Sequence, residues 1–110
     1  MTYEIDYFNA KVLEQIEAWP VDLLADYARL TELLSEHGPE LGMPHSKALG
    51  KGLFELRPRA KHLAGRAFYC FRINRRIIVL HSFIKKTPQT PKEELAIARK
   101  RLKELENART

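Results

Sequence analysis

Apolar and acidic residues alternate through "YEIDYF" at residues 3–8, the two-residue period of a half-buried strand. From Asn9 the period lengthens. Phe8, Val12, Ile16 and Trp19 recur at spacings of four, four and three, which is one stripe of a helix. Pro20 ends that helix and suits the first turn of another. Leu23, Tyr27, Leu30 and Leu34 then form a second stripe, closed by Gly38-Pro39. Two short helices joined at a proline predict a helical hairpin.

The stretch 38–52 holds four of the five glycines and two of the six prolines and predicts a long loop. "LFELR", 53–57, reads as a strand stopped by Pro58, and "RPRAKHLAG" as a basic loop. The aromatic-rich "RAFYCFRI", 66–73, and the apolar 76–86 flank Asn74-Arg75 and predict a β-hairpin. Thr90-Pro91-Lys92-Glu93 has the form of a capping box: threonine at the N-cap, proline at the first helical position and glutamate at the third. Leu95, Ala98, Leu102 and Leu105 continue along one face. The expected fold is therefore α+β, in the order β-α-α-β-β-β-α, within one domain over residues 1–110. A twisted antiparallel-rich sheet packs against the N-terminal hairpin and the C-terminal helix.

Charge adds a second layer. Residues 1–40 carry nine acidic and two basic side chains, a net −7, whereas residues 41–110 carry 17 basic and five acidic ones, a net +12. Such asymmetry points to one face for a polyanion and another, the acidic hairpin 9–37, for a different partner. The alternative is a solvated basic surface. No stretch approaches the roughly 18 apolar residues that span a bilayer, and the N-terminus is polar, so the chain is expected to be cytoplasmic, with no membrane partner. Cys70 is the one cysteine, which fits a reducing compartment and cannot staple its own chain. With no paired histidines beside it, neither a metal site nor a cofactor is expected.

Strand parity sharpens the charge pattern. Leu53, Glu55 and Arg57 share one face of their strand. Arg66, Phe68, Cys70 and Arg72 share one face of theirs, and His81, Phe83 and Lys85 one face of the third. Antiparallel pairing gathers Arg57, Arg66 and one of Lys85 and Lys86 at one end of the sheet. Clustered cations repel unless an anion enters. Phosphate suits them, because arginine binds it as a planar fork and lysine as a point charge. The competing reading of Lys85-Lys86 is a gatekeeper pair that blunts aggregation of an apolar strand.

"LFELR", "GRAFYCF" and "IIVLHSFIKKTPQTPKEELAIARKRL" together resemble the HigB-like branch of the RelE toxin superfamily, the phage-derived Gp49-like proteins. The resemblance covers nearly the whole chain. It implies a toxin of a type II toxin–antitoxin pair that cuts messenger RNA without a metal, in most cases on the ribosome. It implies a partner antitoxin, usually with a helix-turn-helix DNA-binding domain. The family's basic positions fall on Arg57, Arg66, Lys85 and Lys86, with Tyr69 as an aromatic neighbour. Lys51, Arg59, Lys61 and Arg72 are further candidates for RNA contact. The loop "PRAKHLA" is more basic than the family pattern.

Cleavage through the 2′-hydroxyl needs a base at that hydroxyl, cations at the phosphate and an acid at the leaving oxygen. Lys85 or Lys86, its pKa lowered by like charges, would be the base. Arg66, the other lysine or Tyr69 would be the acid. Parity places Tyr69 opposite Arg66, so packing is an equal reading for it. The alternative function is a non-catalytic ParE-like toxin that binds a target such as DNA gyrase. His81, in mid-strand, is expected to be structural.

Overall fold

The computed structural model describes residues 2–108. Strand β1 (Glu4–Tyr7) leads into helices α1 (Ala10–Glu17) and α2 (Val21–His37). Asn9 starts α1 by accepting Val12 N–H on its side-chain oxygen at 3.0 Å, which satisfies one of the orphan donors of the first turn. Val12 and Ile16, then Leu23, Tyr27, Leu30 and Leu34, are the buried stripes of the two helices, as the periodicity predicts. The hydroxyls of Tyr7 and Tyr27 pair at 2.8 Å and tie β1 to α2.

Beyond α2 the chain departs from the expected long loop. A single 3-10 turn (Gly38–Glu40) is followed by strand β2 (Ser46–Gly50), which pairs antiparallel with β3 (Leu53–Leu56). The glycines that suggested a loop serve turns instead. Gly50 and Gly52, at φ 89° and 82°, bracket the tight β2–β3 connection, a backbone region glycine enters without steric cost. The expected basic loop also contains structure: β4 (Arg59–Ala60) folds back on the start of β5 (Leu63–Arg72). Six strands form where four were predicted. β5 pairs with β6 (Arg76–Lys85) across the three-residue turn 73–75, in which Asn74 and Arg75 both have positive φ.

The sheet order is β1-β6-β5-β3-β2, with β1 parallel to β6 and β4 attached to β5. Between Phe68↔His81 and Tyr69↔Val79 the register skips Leu80, a bulge in β6. Arg101 of helix α3 (Lys92–Asn107) donates to the Leu80 carbonyl at 2.7 Å, so a carbonyl at the irregular step is satisfied by the covering helix.

Both faces of the central strands are apolar, and both are covered. Ala67, Tyr69, Ile77 and Val79 pack under the α1–α2 hairpin, with Trp19, Leu23 and Leu30. Phe68, Cys70, Ile78 and Leu80 pack on the other face, under Ala98 and Leu102 of α3. Cys70 is buried core, and burial pushes its thiol up to about 11. The expected threonine cap is absent: Pro91 occupies the N-cap position of α3 without a side-chain hydrogen bond, and Thr90 turns inward to a carboxylate described below. No helix among the described residues is long and apolar enough to cross a membrane.

Gly38 closes α2 at φ 56° and ψ −132°, where side chains other than hydrogen are strained. A Cβ there would lie 2.4 Å from Tyr3 Cε1. Gly38→Ala should therefore lose about 2 kcal/mol or more in equilibrium urea unfolding, and an unchanged midpoint would show that neither the backbone conformation nor Tyr3 restricts this position.

Candidate active site

Helix α3 covers the middle of its face of the sheet and leaves one end open. Register decides what gathers there. Glu55 pairs with Phe68, and Leu56 with Ala67. One step further along that register sets Arg57 beside Arg66. On the other side Arg66 pairs with Phe83 and Ala64 with Lys85. Arg57, Arg66 and Lys85 all line one cleft of about 840 Å³, together with Arg59, Lys61, His45 and His62. The residues come from α2, the segment before β2, the end of β3, β4 and the turn after it, β5 and β6, so the cleft exists only once the sheet has formed.

The start of β5 is fixed by close packing. A Cβ at Gly65 would lie 3.0 Å from the Trp19 indole and 3.2 Å from Pro58 Cγ, so the backbone beside Arg66 rests directly on the core. From α2, Asp26 accepts the Arg59 backbone N–H at 2.7 Å and the Arg29 side chain at 2.9 Å. This acidic residue of the hairpin is thereby engaged in anchoring the basic β4–β5 turn.

At the floor of the cluster lies Glu55, 2% exposed. One of its oxygens accepts Arg57 Nη1 at 2.8 Å and lies 3.7 Å from Arg66 Nε. The other accepts the Thr90 hydroxyl at 3.3 Å. Arg66 is itself buried, 5% exposed, and its Nη1 donates to the Gly65 carbonyl at 2.7 Å. Burial lowers the Arg66 pKa, Arg57 lowers it further, Glu55 opposes, and Arg59 adds a smaller lowering; a guanidinium nevertheless remains charged in a protein. Lys85 is also held below its ordinary range. Partial desolvation is the largest cause, followed by repulsion from Arg66, with Glu55 pulling the other way and Arg57 and Lys47 adding to the lowering. A larger share of neutral amine at a given pH follows.

Several sequence candidates lie elsewhere. Tyr69 does not reach the cleft: its ring is 1% exposed in the hairpin-side core, stacked on Phe54, with its hydroxyl bonded to Ser46 and its pKa pushed up to about 12 by burial. Arg72 sits at the opposite end of β5 and donates to the Leu105 carbonyl at 3.3 Å, which places its charge at the C-terminal end of α3. Lys51 occupies the β2–β3 turn at φ 55°, at the end of β3 away from Arg57. Lys86 follows the last residue of β6, is exposed and does not line the cleft. His81 is held in the structure by Glu94 at 2.6 Å.

Glu55 at the floor of the cluster, and His45 and His62 in the cleft lining, are not among the sequence candidates. Glu55 shares strand parity with Arg57, and that alternation is its one signal in the sequence. His45 lies in a segment read as loop; only the β2–β3 pairing, in which its carbonyl accepts Arg57 N–H at 2.9 Å, brings it to the cleft.

A chain of the crystal structure of the archaeal RelE–RelB complex from Pyrococcus horikoshii OT3 superposes with a TM-score of 0.52 at 18% identity, covering 82% of this chain and 100% of that one. Residues 14–103 match the family described as Phage derived protein Gp49-like (DUF891), and the chain belongs to that family, a RelE/HigB-type toxin family. A search of curated proteins finds no match.

The electrostatics of Lys85 are open to measurement. Arg57→Gln removes a repelling charge and leaves Glu55 less neutralised, and both effects favour the ammonium. The Lys85 pKa should rise toward 10.5, followed by ¹³Cε chemical shift against pH. An unmoved midpoint would mean that solvent screens the pair.

Proposed function

We propose that this protein is the toxin of a type II toxin–antitoxin pair and acts as a metal-independent endoribonuclease on messenger RNA at the ribosome. The observation that carries the reading is the convergence of Arg57, Arg66 and Lys85 on one open cleft, with Arg59 and Lys61 along its wall. A phosphodiester entering the cleft meets cations on several sides, and such preorganised charge stabilises the phosphorane more than the ground state.

Lys85 is the best-placed base. Its lowered pKa raises the neutral fraction available to take the 2′-hydroxyl proton. The oxygen so freed attacks the adjacent phosphorus, and the 5′-oxygen leaves with a proton from an acid in the cleft. Arg57, the more exposed arginine, grips a non-bridging oxygen. Arg66, buried beside it, supplies fixed positive charge. Arg59 and Lys61 fit contacts to flanking phosphates, whose contribution weakens with salt. Tyr69 has no part in this scheme.

The partner is an antitoxin, of the helix-turn-helix kind that the family resemblance implies. Free expression of the toxin should arrest growth, and co-expression of the partner should relieve it. The acidic hairpin remains the preferred docking face, at Asp22 and Glu32 rather than Asp26, which anchors Arg59.

Cleavage of messenger RNA on programmed ribosomes tests the site directly. Arg57→Ala and Arg66→Ala should each slow cleavage by about a hundredfold, the scale of one lost preorganised donor, and Lys85→Ala should lose far more activity than Lys86→Ala. A chelator selective for transition metals, with Mg²⁺ held constant for the ribosome, should leave the wild-type rate unchanged. Wild-type rates in all four folded variants would place the chemistry elsewhere.

A further inference from the structure

We propose that Glu55 is a positioning residue for the phosphate grip: it holds Arg57 in the free protein, yields it to an entering phosphodiester, and then closes on Arg66 Nε. The inference rests on the ribonuclease reading of the same cleft and deepens it by describing how the grip changes partners.

The geometry shows a carboxylate with more donors than acceptor positions in use. One Glu55 oxygen is shared unequally, at 2.8 Å from Arg57 Nη1 and 3.7 Å from Arg66 Nε. Arg66 Nε is buried and has no hydrogen-bond acceptor among the described residues. A buried donor left in that state is costly, and the nearest remedy is the oxygen that Arg57 now occupies. The two arginines differ in freedom: the Arg57 side chain is 25% exposed and that of Arg66 6%. Arg57 is therefore the one able to turn outward to a phosphate. Its departure frees the Glu55 oxygen for Arg66, which compensates part of the lost ion pair.

Glu55 does not itself meet the substrate. Its side chain is 3% exposed and its second oxygen is taken by Thr90, so it acts through the arginines. Thr90 lies in the connector between β6 and α3, and its bond joins the connector that follows Lys85 to the base of the grip. The groups facing Glu55 are Arg57 just after β3, Arg66 on β5, Lys47 opposite it on β2, Lys85 at the end of β6 and Thr90. A carboxylate at this point holds cations together that would otherwise repel. It also supports the protonated form of Lys85.

Glu55→Gln keeps the size and removes the charge. Steady-state cleavage, compared on the plateau above the Lys85 limb, should show kcat down about tenfold or more with KM for RNA unchanged or lower, because the cleft has become more positive. The limb of the pH–rate profile that reports Lys85 deprotonation should move to lower pH, a shift that loss of packing would not produce. A second measurement uses the wild-type chain: the Arg66 Nε–Hε resonance, followed by NMR, should shift when a 2′-deoxy oligonucleotide that cannot be cut is added. Wild-type kcat and pH profile in Glu55→Gln would overturn the proposal, as would an Arg66 resonance unmoved at saturating oligonucleotide. If the wild type cuts no RNA, the ribonuclease reading fails by itself and the resonance still decides the exchange.

Discussion

Everything in this molecule depends on a pair of long central strands that are apolar on both faces. β5 and β6 each run ten residues, and neither face can be left to water without losing the hydrophobic gain that orders them. The N-terminal hairpin covers one face and α3 the other, giving three layers from 110 residues. Because α3 packs over the middle of its face, one end stays open. The basic cleft lies at that end, lined by the cations of the sheet and by Asp26 and Arg29 of α2.

What lies in that opening reverses the logic of the core. In place of apolar side chains there are arginines and a lysine, held by one buried carboxylate. A buried ion pair is weak support for stability, since desolvation offsets much of the attraction. Its value here is geometric. Glu55 joins β3, β5 and the connector before α3 at a single side chain, so the three pieces that carry the cations are aligned by the same atoms that neutralise them. The Asp26 contact with Arg59 does the same for the turn at the cleft's wall. Acidic residues from both halves of the chain thus hold basic ones in place, and the segregation of charge along the sequence is only partly kept in space.

The likeness to the archaeal RelE chain lies in the path of the backbone, at an identity of 18%. Membership of the Gp49-like family rests on the sequence pattern itself over residues 14–103. The two agree on a RelE-type architecture. The proposed chemistry rests on the geometry of side chains at the sheet's end, since one fold supports more than one function.

The sequence by itself determined the elements whose residues repeat with a clear period. The stripes at Val12 and Ile16 and at Leu23 to Leu34, the hairpin turn at Asn74-Arg75 and the final helix all follow from local preference. Strand parity also groups Arg57 with Glu55, Arg66 with Phe68 and Lys85 with Phe83, each on one face of its own strand, because alternation is a property of any strand; register makes the three faces coincide. Tertiary structure decided the rest. "SKALG" carries no period that names it a strand; it becomes one because β3 has an unpaired edge that its backbone can satisfy. "RA" at 59–60 is a strand only through its pairing with β5 and its tie to Asp26. Thr90 has the form of a cap, yet the buried Glu55 carboxylate, 35 residues away in the chain, takes its hydroxyl from the helix end. The position of His45 and the exclusion of Tyr69, Arg72 and Lys51 from the cleft likewise depend on which strand lies beside which. Local periodicity encodes the direction a side chain points along its own element, whereas a site assembled across four strands is set by register and by the packing that fixes it.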